Sequence, residues 1–348
     1  MASKLMIYGA YGYTGDLISR QAVAQGLSPV LAGRDASKLK LLAEEIGAEW
    51  QAIDLEDAAA MRAGLADVSV VINCAGPFVD TWEAMVQACL ASGTTYLDIS
   101  GEISVLSEIA AMDKAAKAAG VALMPACGFD VVPTDCMAAM LLRKLPTVTR
   151  MRLAFCGIEK ASRGTLLTSA RSMSDPIYIR KNGELIPLSG PKHTMIDFGE
   201  GPEKAYATTW GDLVTIWHMA KISSIEVFVK PSKDVEFLFQ IPEFLRQILG
   251  SPIGRPILQA KIYSSPPGPD LRERKTGSAR IFGEASDDDG NRVVLRMRTA
   301  EPYELTSKTA TEIVRRALEG RLPPGFQTPA GVFGADFILE FEGSKTIS

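Results

Sequence analysis

The chain has 348 residues, 47% of them hydrophobic and 22% charged, with a formal net charge of -4. That length suits about two domains, each with a full core, and an excess of acids over bases speaks against nucleic acid, which needs a Lys/Arg surplus. No apolar run reaches the roughly 18 residues of a spanning helix, and no basic and apolar leader precedes the first strand, so no integral membrane segment and a cytoplasmic location are expected.

Short apolar runs alternate with helical patterns over the first 127 residues. Strands are expected at 5–8, 29–32, 49–53, 68–73, 95–99 and 121–124. Helices are expected between them at 16–25, 37–46, 61–65, 81–91 and 105–119, read from apolar spacing and from stops such as Gly47. Strands apolar throughout and separated by helices indicate a parallel sheet covered on both faces, a doubly wound Rossmann-type α/β domain.

The first strand runs into Gly9-Ala10-Tyr11-Gly12-Tyr13-Thr14-Gly15, a variant of the dinucleotide fingerprint. Gly9 permits the tight turn, Gly12 lets backbone approach a pyrophosphate, and Gly15 lets the helix pack on the sheet, with Tyr11, Tyr13 and Thr14 lining the same turn. The helix N-terminus then favours phosphate. At the end of the second strand stand Arg34 and, one turn on, Lys38. A guanidinium there suits a 2′-phosphate and points to NADP. Asp35 could be a ribose acid, as NAD sites use, but reads better as the N-cap of the next helix. Asp54 and Leu55, ending the third strand, either meet the adenine edge or cap the following turn. Cys74, Ala75, Gly76, Pro77 and Phe78 follow the fourth strand, where small residues allow close approach to the nicotinamide half of the cofactor.

These segments, with Ala32-Gly33-Arg34, 96–102, 128–135 and 325–330, resemble the saccharopine dehydrogenase-like family of NADP-binding oxidoreductases. The nearer likeness is to its branch of trans-acting enoyl reductases and saccharopine-dehydrogenase-like proteins. The resemblance implies a dinucleotide domain at 1–127 completed by 326–348, and an inserted substrate and dimerisation domain at 128–325. Short-chain dehydrogenases share a shifted glycine motif, but their Tyr-x-x-x-Lys pair does not occur in this chain.

Hydride transfer leaves the substrate short of a proton. With only two histidines, His193 and His218, and no Tyr-Lys pair, carboxyl groups are the main candidates. Asp98 ends the fifth strand, Glu102 follows Gly101, and Asp130 follows the sixth strand. The three suit an acidic pocket with raised pKa values, or else they bond backbone amides and shape the loops. Asp135 reads as a helix cap. The cysteines, Cys74, Cys89, Cys127, Cys136 and Cys156, are odd in number and lack a C-x-x-C pair. Neither a disulfide framework nor a metal site is expected.

The second half alternates at 151–155, 223–229, 278–284 and 292–297, with a helix at 163–172, which suggests an α+β domain with a largely antiparallel sheet. Asp287-Asp288-Asp289-Gly290-Asn291 reads as a hairpin turn rather than a calcium loop. The apolar stretch 237–249, broken by Pro242, reads as a core helix or dimer contact in preference to a membrane-surface patch, and 264–269 as a flexible loop. The sum is an NADPH-dependent reductase of a polarised double bond in a small-molecule substrate, for which the resemblance implies an enoyl thioester-like C=C ahead of the C=N of an imine. A non-catalytic NADP-binding redox sensor is the reading from another class. A homodimer is left open.

Overall fold

The computed structural model describes residues 4–232, 236–241, 243–251 and 254–347. In chain order the elements are β1 (Lys4–Tyr8), α1 (Tyr13–Ala24), β2 (Pro29–Gly33), α2 (Ala36–Ile46), β3 (Glu49–Ala52), α3 (Ala58–Leu65), β4 (Val68–Asn73), α4 (Trp82–Ser92), β5 (Thr95–Asp98), α5 (Ile103–Ala111), α6 (Asp113–Ala119) and β6 (Ala122–Met124). There follow α7 (Val132–Lys144), β7 (Arg150–Cys156), α8 (Arg163–Arg171), β8 (Tyr178–Lys181), β9 (Glu184–Pro187), β10 (His193–Asp197), β11 (Pro202–Ala207), α9 (Asp212–Ala220) and β12 (Ser224–Val229). The chain ends with α10 (Glu243–Gly250), α11 (Gly254–Ser264), α12 (Leu271–Thr276), β13 (Ser278–Ser286), β14 (Arg292–Ala300), α13 (Pro302–Leu318), β15 (Gly325–Phe326), α14 (Pro329–Phe333) and β16 (Lys345–Ile347). It divides into two compact units, Met1–Val132 with Tyr303–Val332 and Pro133–Pro302 with Phe333–Ser348.

The first unit holds a seven-stranded parallel sheet in the order β15-β6-β5-β4-β1-β2-β3. Its central strands bury Met6, Ile7, Leu31, Val71, Ile72 and Leu97, because helices cover both faces and leave no polar side. Only β3, at the edge, is exposed along its length. Asp35 caps α2 by accepting from the Ser37 and Lys38 amides, and Gly47 ends that helix at φ 71. The expected single helix at 105–119 is two, broken at Met112.

The unit is completed by a segment that begins and ends earlier than the 326–348 the resemblance implies, sharing 326–332 with it. Residues 303–332 return to it, while 333–348 belong to the second unit. Local bonding explains both. The Thr309 hydroxyl on α13 donates to the Cys127 carbonyl at 2.9 Å, the Thr306 hydroxyl accepts from the Phe129 amide at 2.9 Å, and β15 runs parallel to β6. Beyond α14, Phe337 stacks with Phe333 and Phe341 at 4.9 and 5.1 Å. Arg143 on α7 grips Asp336 through two bonds, and β16 pairs with β14.

The second unit is built on a mixed sheet in the order β10-β11-β12-β7-β13-β14-β16, with β8 and β9 branching from β12. All pairings are antiparallel except β12 with β7. Gly283 in β13 lets α7 settle on one face, since a Cβ there would stand 2.5 Å from Met137 Cγ. On the other face Ala154, Phe228 and Phe282 pack with Ile196, Phe198, Ala205 and Ala207.

The acidic run is a hairpin turn between β13 and β14. The Asp287 carboxylate accepts from the Asn291 amide and side chain and from Thr147. The loop expected to be flexible is pinned by Arg163, which donates to the carbonyls of Ser265 and Pro267. Of the 237–249 stretch, Pro242 lies outside the described residues. Phe244, Leu245 and Ile248 are exposed while Leu249 is half-buried, so α10 is not a core helix.

Replacing Thr309 by valine keeps the buried volume and removes the donor to the Cys127 carbonyl. We expect a loss of about 1–2 kcal/mol, read as a lower urea midpoint; an unchanged midpoint contradicts α13 as a fastening of this unit.

Candidate functional site

The turn after β1 is interlocked by its glycines. Gly9 adopts φ +78, and a Cβ on it would stand 2.7 Å from the Ala75 amide nitrogen, while one on Gly15 would meet the Gly9 carbonyl at 2.3 Å. Both positions therefore exclude side chains. Gly12 is the N-cap of α1 and brings no side-chain hydrogen bond to it. The nearest atom to a Cβ there is the Gly9 carbonyl at 3.2 Å. An uncapped helix start with backbone open above it fits an anionic group such as a pyrophosphate. Thr14 lies in the first turn, and Tyr13 stacks edge-on with Tyr303 of α13 at 5.2 Å.

At the end of β2 the Tyr11 ring rests against Gly33, where a Cβ would approach it to 2.7 Å. Lys38 stands 5.4 Å from that ring and pairs with Asp35 at 3.0 Å. Asp35 is committed as a cap, and its bonds to Ser37 and Lys38 hold its carboxyl well below the usual range. Arg34 is exposed and has no ion pair or hydrogen bond among the described residues. It is the cation at this strand end that remains available to a 2′-phosphate. The Asp54 carboxylate accepts from the Glu56 amide at 3.1 Å, so it caps its own turn; Leu55 beside it is half-buried.

The loop after β4 is held from within. Asn73 accepts from the Ala75 amide at 3.0 Å and donates to Thr81 at 3.1 Å, and the Thr81 hydroxyl returns a bond to the Ala75 carbonyl at 2.8 Å. The Gly76–Pro77 peptide is cis. Cys74 is half-buried, and burial pushes its thiol up, away from thiolate chemistry. Glu102 spans two loops, one oxygen accepting from the Phe78 amide and the other from the Gly101 amide, each at 3.1 Å. Burial outweighs those bonds and raises its pKa.

The three candidate acids have separate lives. Asp98 is fully buried, and its oxygens receive the Ser100 amide (2.8 Å), the Ser100 hydroxyl (2.7 Å), the Ala126 amide (2.8 Å) and the Tyr96 hydroxyl (2.8 Å). With its acceptor sites taken, it shapes the loops. Glu102 does so in part. Asp130 has no hydrogen bond among the described residues and lies against Gly101, whose Cβ would stand 3.0 Å from its Oδ2. Burial first, then the charge of Glu102, pushes its pKa up to about 7. A carboxyl poised there exchanges protons near neutrality.

Sequence reasoning missed α13. Thr306 and Thr309 hold the segment that carries Asp130, and Gly128 is required beneath Thr306, since a Cβ there would meet its Cγ2 at 2.8 Å. The signal available was a helical stretch at 302–318 with no motif to connect it to residues 127–130.

Residues 5–124 match the family model of the saccharopine dehydrogenase NADP binding domain. A lipid droplet localized protein of Caenorhabditis elegans is 34% identical over 146 residues, which cover 38% of this chain and 34% of that protein. A trans-acting enoyl reductase of Mycobacterium ulcerans is 25% identical over 219 residues, 58% of this chain and 52% of the relative. The chain thus spans only about a third to a half of the length of these relatives. Apo saccharopine dehydrogenase (L-Glu forming) of Saccharomyces cerevisiae superposes with a TM-score of 0.64 at 15% identity, covering 99% of this chain and 100% of that one. At that identity the likeness speaks for the fold.

Arg34→Ala should weaken NADPH by about 10–100-fold and leave NADH within about twofold, measured by fluorescence titration; equal losses for both contradict the 2′-phosphate assignment. Asp130 also carries a stability signature. Its folded pKa of about 7 stands above the ordinary 3.8, so the folded state holds the proton more tightly than the unfolded chain. Stability falls as pH rises from about 4 to about 7, on the order of 2–4 kcal/mol in all. Asp130→Asn should flatten that slope in urea titrations run across pH; an unaltered slope contradicts the raised pKa.

Proposed function

We propose that this chain, whose residues 5–124 form an NADP-binding domain of the saccharopine dehydrogenase type, is an NADPH-dependent oxidoreductase that reduces a polarised double bond. NADPH supplies the hydride. The residues in reach of the task are those described above: the uncapped start of α1 and the open backbone at Gly12 for the pyrophosphate, Arg34 for the 2′-phosphate, and the 74–78 loop for the nicotinamide half. Asp130 is assigned the proton. When hydride adds to one carbon of a conjugated C=C, the neighbouring carbon takes an electron pair and needs a proton, which the Asp130 carboxylic acid donates before recovering one from solvent. Burial and then the charge of Glu102 raise the pKa of Asp130, and Asp98 holds the loop that carries it.

The observation that carries the reading is a carboxyl without hydrogen-bond partners, its pKa near 7, between two strand-end loops of an NADP-binding domain. An enoyl thioester-like substrate is favoured by the similarity to a trans-acting enoyl reductase. A C=N substrate is the second reading, favoured by the family of the matched domain and by an acidic group suited to an amine. A cytoplasmic location is part of the proposal, in keeping with five free cysteines, as is a homodimer.

Screening enoyl thioesters and imines for NADPH oxidation tests this. The expected acceptor is reduced with a rate that falls as pH rises through about 7. Asp130→Asn should lower kcat about 10²–10⁴-fold with NADPH affinity kept. No acceptor reduced from either class favours the redox sensor, and full turnover in the variant removes Asp130 from the chemistry.

A further inference from the structure

Among the described residues, six of the eleven exposed large hydrophobic side chains fall between 244 and 271: Phe244, Leu245, Ile248, Ile257, Tyr263 and Leu271. Phe244 is 67% and Ile257 72% exposed. Single exposed hydrophobics need no explanation, but five of these six stand on α10 and α11, which pack against each other, and an apolar patch of that kind marks a contact surface.

The cause lies in how α10 is seated. A helix on a water-facing surface turns its apolar stripe inward; α10 half-buries Leu249 but leaves Phe244, Leu245 and Ile248 exposed. Arg246 points in and donates to the carbonyls of Met173 and Asp175 at 3.1 and 2.9 Å. Gly250, one turn on, presses so closely on Ser174 that a Cβ would stand 1.9 Å from its Oγ. Phe244 and Ile248 occupy the opposite side. In α11, Ile262 is buried and Arg255 is turned back onto the Gly250 carbonyl at 2.9 Å, which leaves Ile257, Lys261 and Tyr263 outward. Polar groups and Ile262 thus fasten the helices to the unit, while Phe244, Ile248, Ile257 and Tyr263 stay exposed.

The charge around the patch identifies its occupant. Between 243 and 276 the sequence has Arg246, Arg255, Lys261, Arg272, Arg274 and Lys275 against Glu243, Asp270 and Glu273, in a chain whose net charge is -4. The exposed cations Lys261, Arg272 and Lys275 make no ion pair among the described residues, whereas Asp270 is used in the capping box of α12. A second copy docked about a two-fold axis would set these cations against themselves. A surface with an apolar interior and anionic headgroups complements both features. No helix among the described residues is long and apolar enough to cross a membrane, so the contact is peripheral. We propose that α10, α11 and α12 form a docking face for an anionic lipid surface, with Phe244, Ile248, Ile257 and Tyr263 entering the headgroup region and Lys261, Arg272 and Lys275 meeting the lipid charge.

Flotation of the full chain with vesicles of phosphatidylcholine, alone or mixed with phosphatidylglycerol, tests the proposal. Binding is expected on the mixed vesicles, weakened by salt and at least about tenfold lower on the neutral ones. The combined variant Phe244→Ser, Ile248→Ser, Ile257→Ser and, separately, Lys261→Glu, Arg272→Glu, Lys275→Glu should each lower it by at least about tenfold. Circular dichroism and NADPH affinity should stay unchanged in both, since none of these residues belongs to the cofactor site. No binding by the intact chain overturns the proposal, as does binding that both variants retain. Concentration-dependent dimerisation abolished by the serine variant, with no vesicle binding, also overturns it and gives the face to a second copy.

Discussion

The Asp98 carboxylate ties the ends of β5 and β6 together, and the candidate site is built outward from that tie. Four donors converge on it, two of them from Ser100 and one from the Ala126 amide. Ala126 sits at φ 60 while fully buried, a left-handed conformation that costs a non-glycine residue about 1–2 kcal/mol. The bond from its amide, reinforced by the Cys127 amide on the Asp98 carbonyl, keeps the chain in that turn. The strained turn in turn delivers residues 127–130 beside Gly101 and Glu102. A buried carboxyl left without such donors would be a liability. With them it is a structural fixture, and the neighbouring carboxyl on Asp130 is the one left unfastened.

The unit also depends on contacts far apart in sequence. The Phe129 amide meets Thr306, which stands 177 positions away, and Thr309 meets Cys127 at a separation of 182. The segment carrying the reactive acid is therefore held from below by Asp98 and from the side by α13. Tyr303 on that helix meets Tyr13 in the glycine turn, so one helix touches both the turn offered to the pyrophosphate and the segment offered to the proton.

What was legible in the sequence was what local chemistry encodes. Six strands of the parallel sheet declared themselves by apolar runs, and the glycines by the turn they permit. Asp35 could be read as either a cap or a ribose acid, and its bonds to Ser37 and Lys38 decide for the cap. A strand of two residues, β15, carries no periodicity, and α13 has no motif linking it to residues so distant. The acids Asp98 and Asp130 look alike in sequence, one ending a strand and the other in the loop after one. Which one is saturated with donors and which is left bare depends on how the loops fold over them. The apolar run at 237–249 gives the amphipathic axis of α10 but not the side that faces in; Arg246 bonds inward to the Met173 and Asp175 carbonyls and leaves Phe244 and Ile248 exposed, which excludes the core helix.

The central claim is that Asp130 is a carboxyl held without partners and poised near neutrality. The most direct measurement is a carbon-detected NMR titration of its side-chain carboxyl, assigned by the signal lost in Asp130→Asn. A midpoint at about pH 7 is expected. A midpoint below about pH 5, in the ordinary carboxylate range, contradicts it.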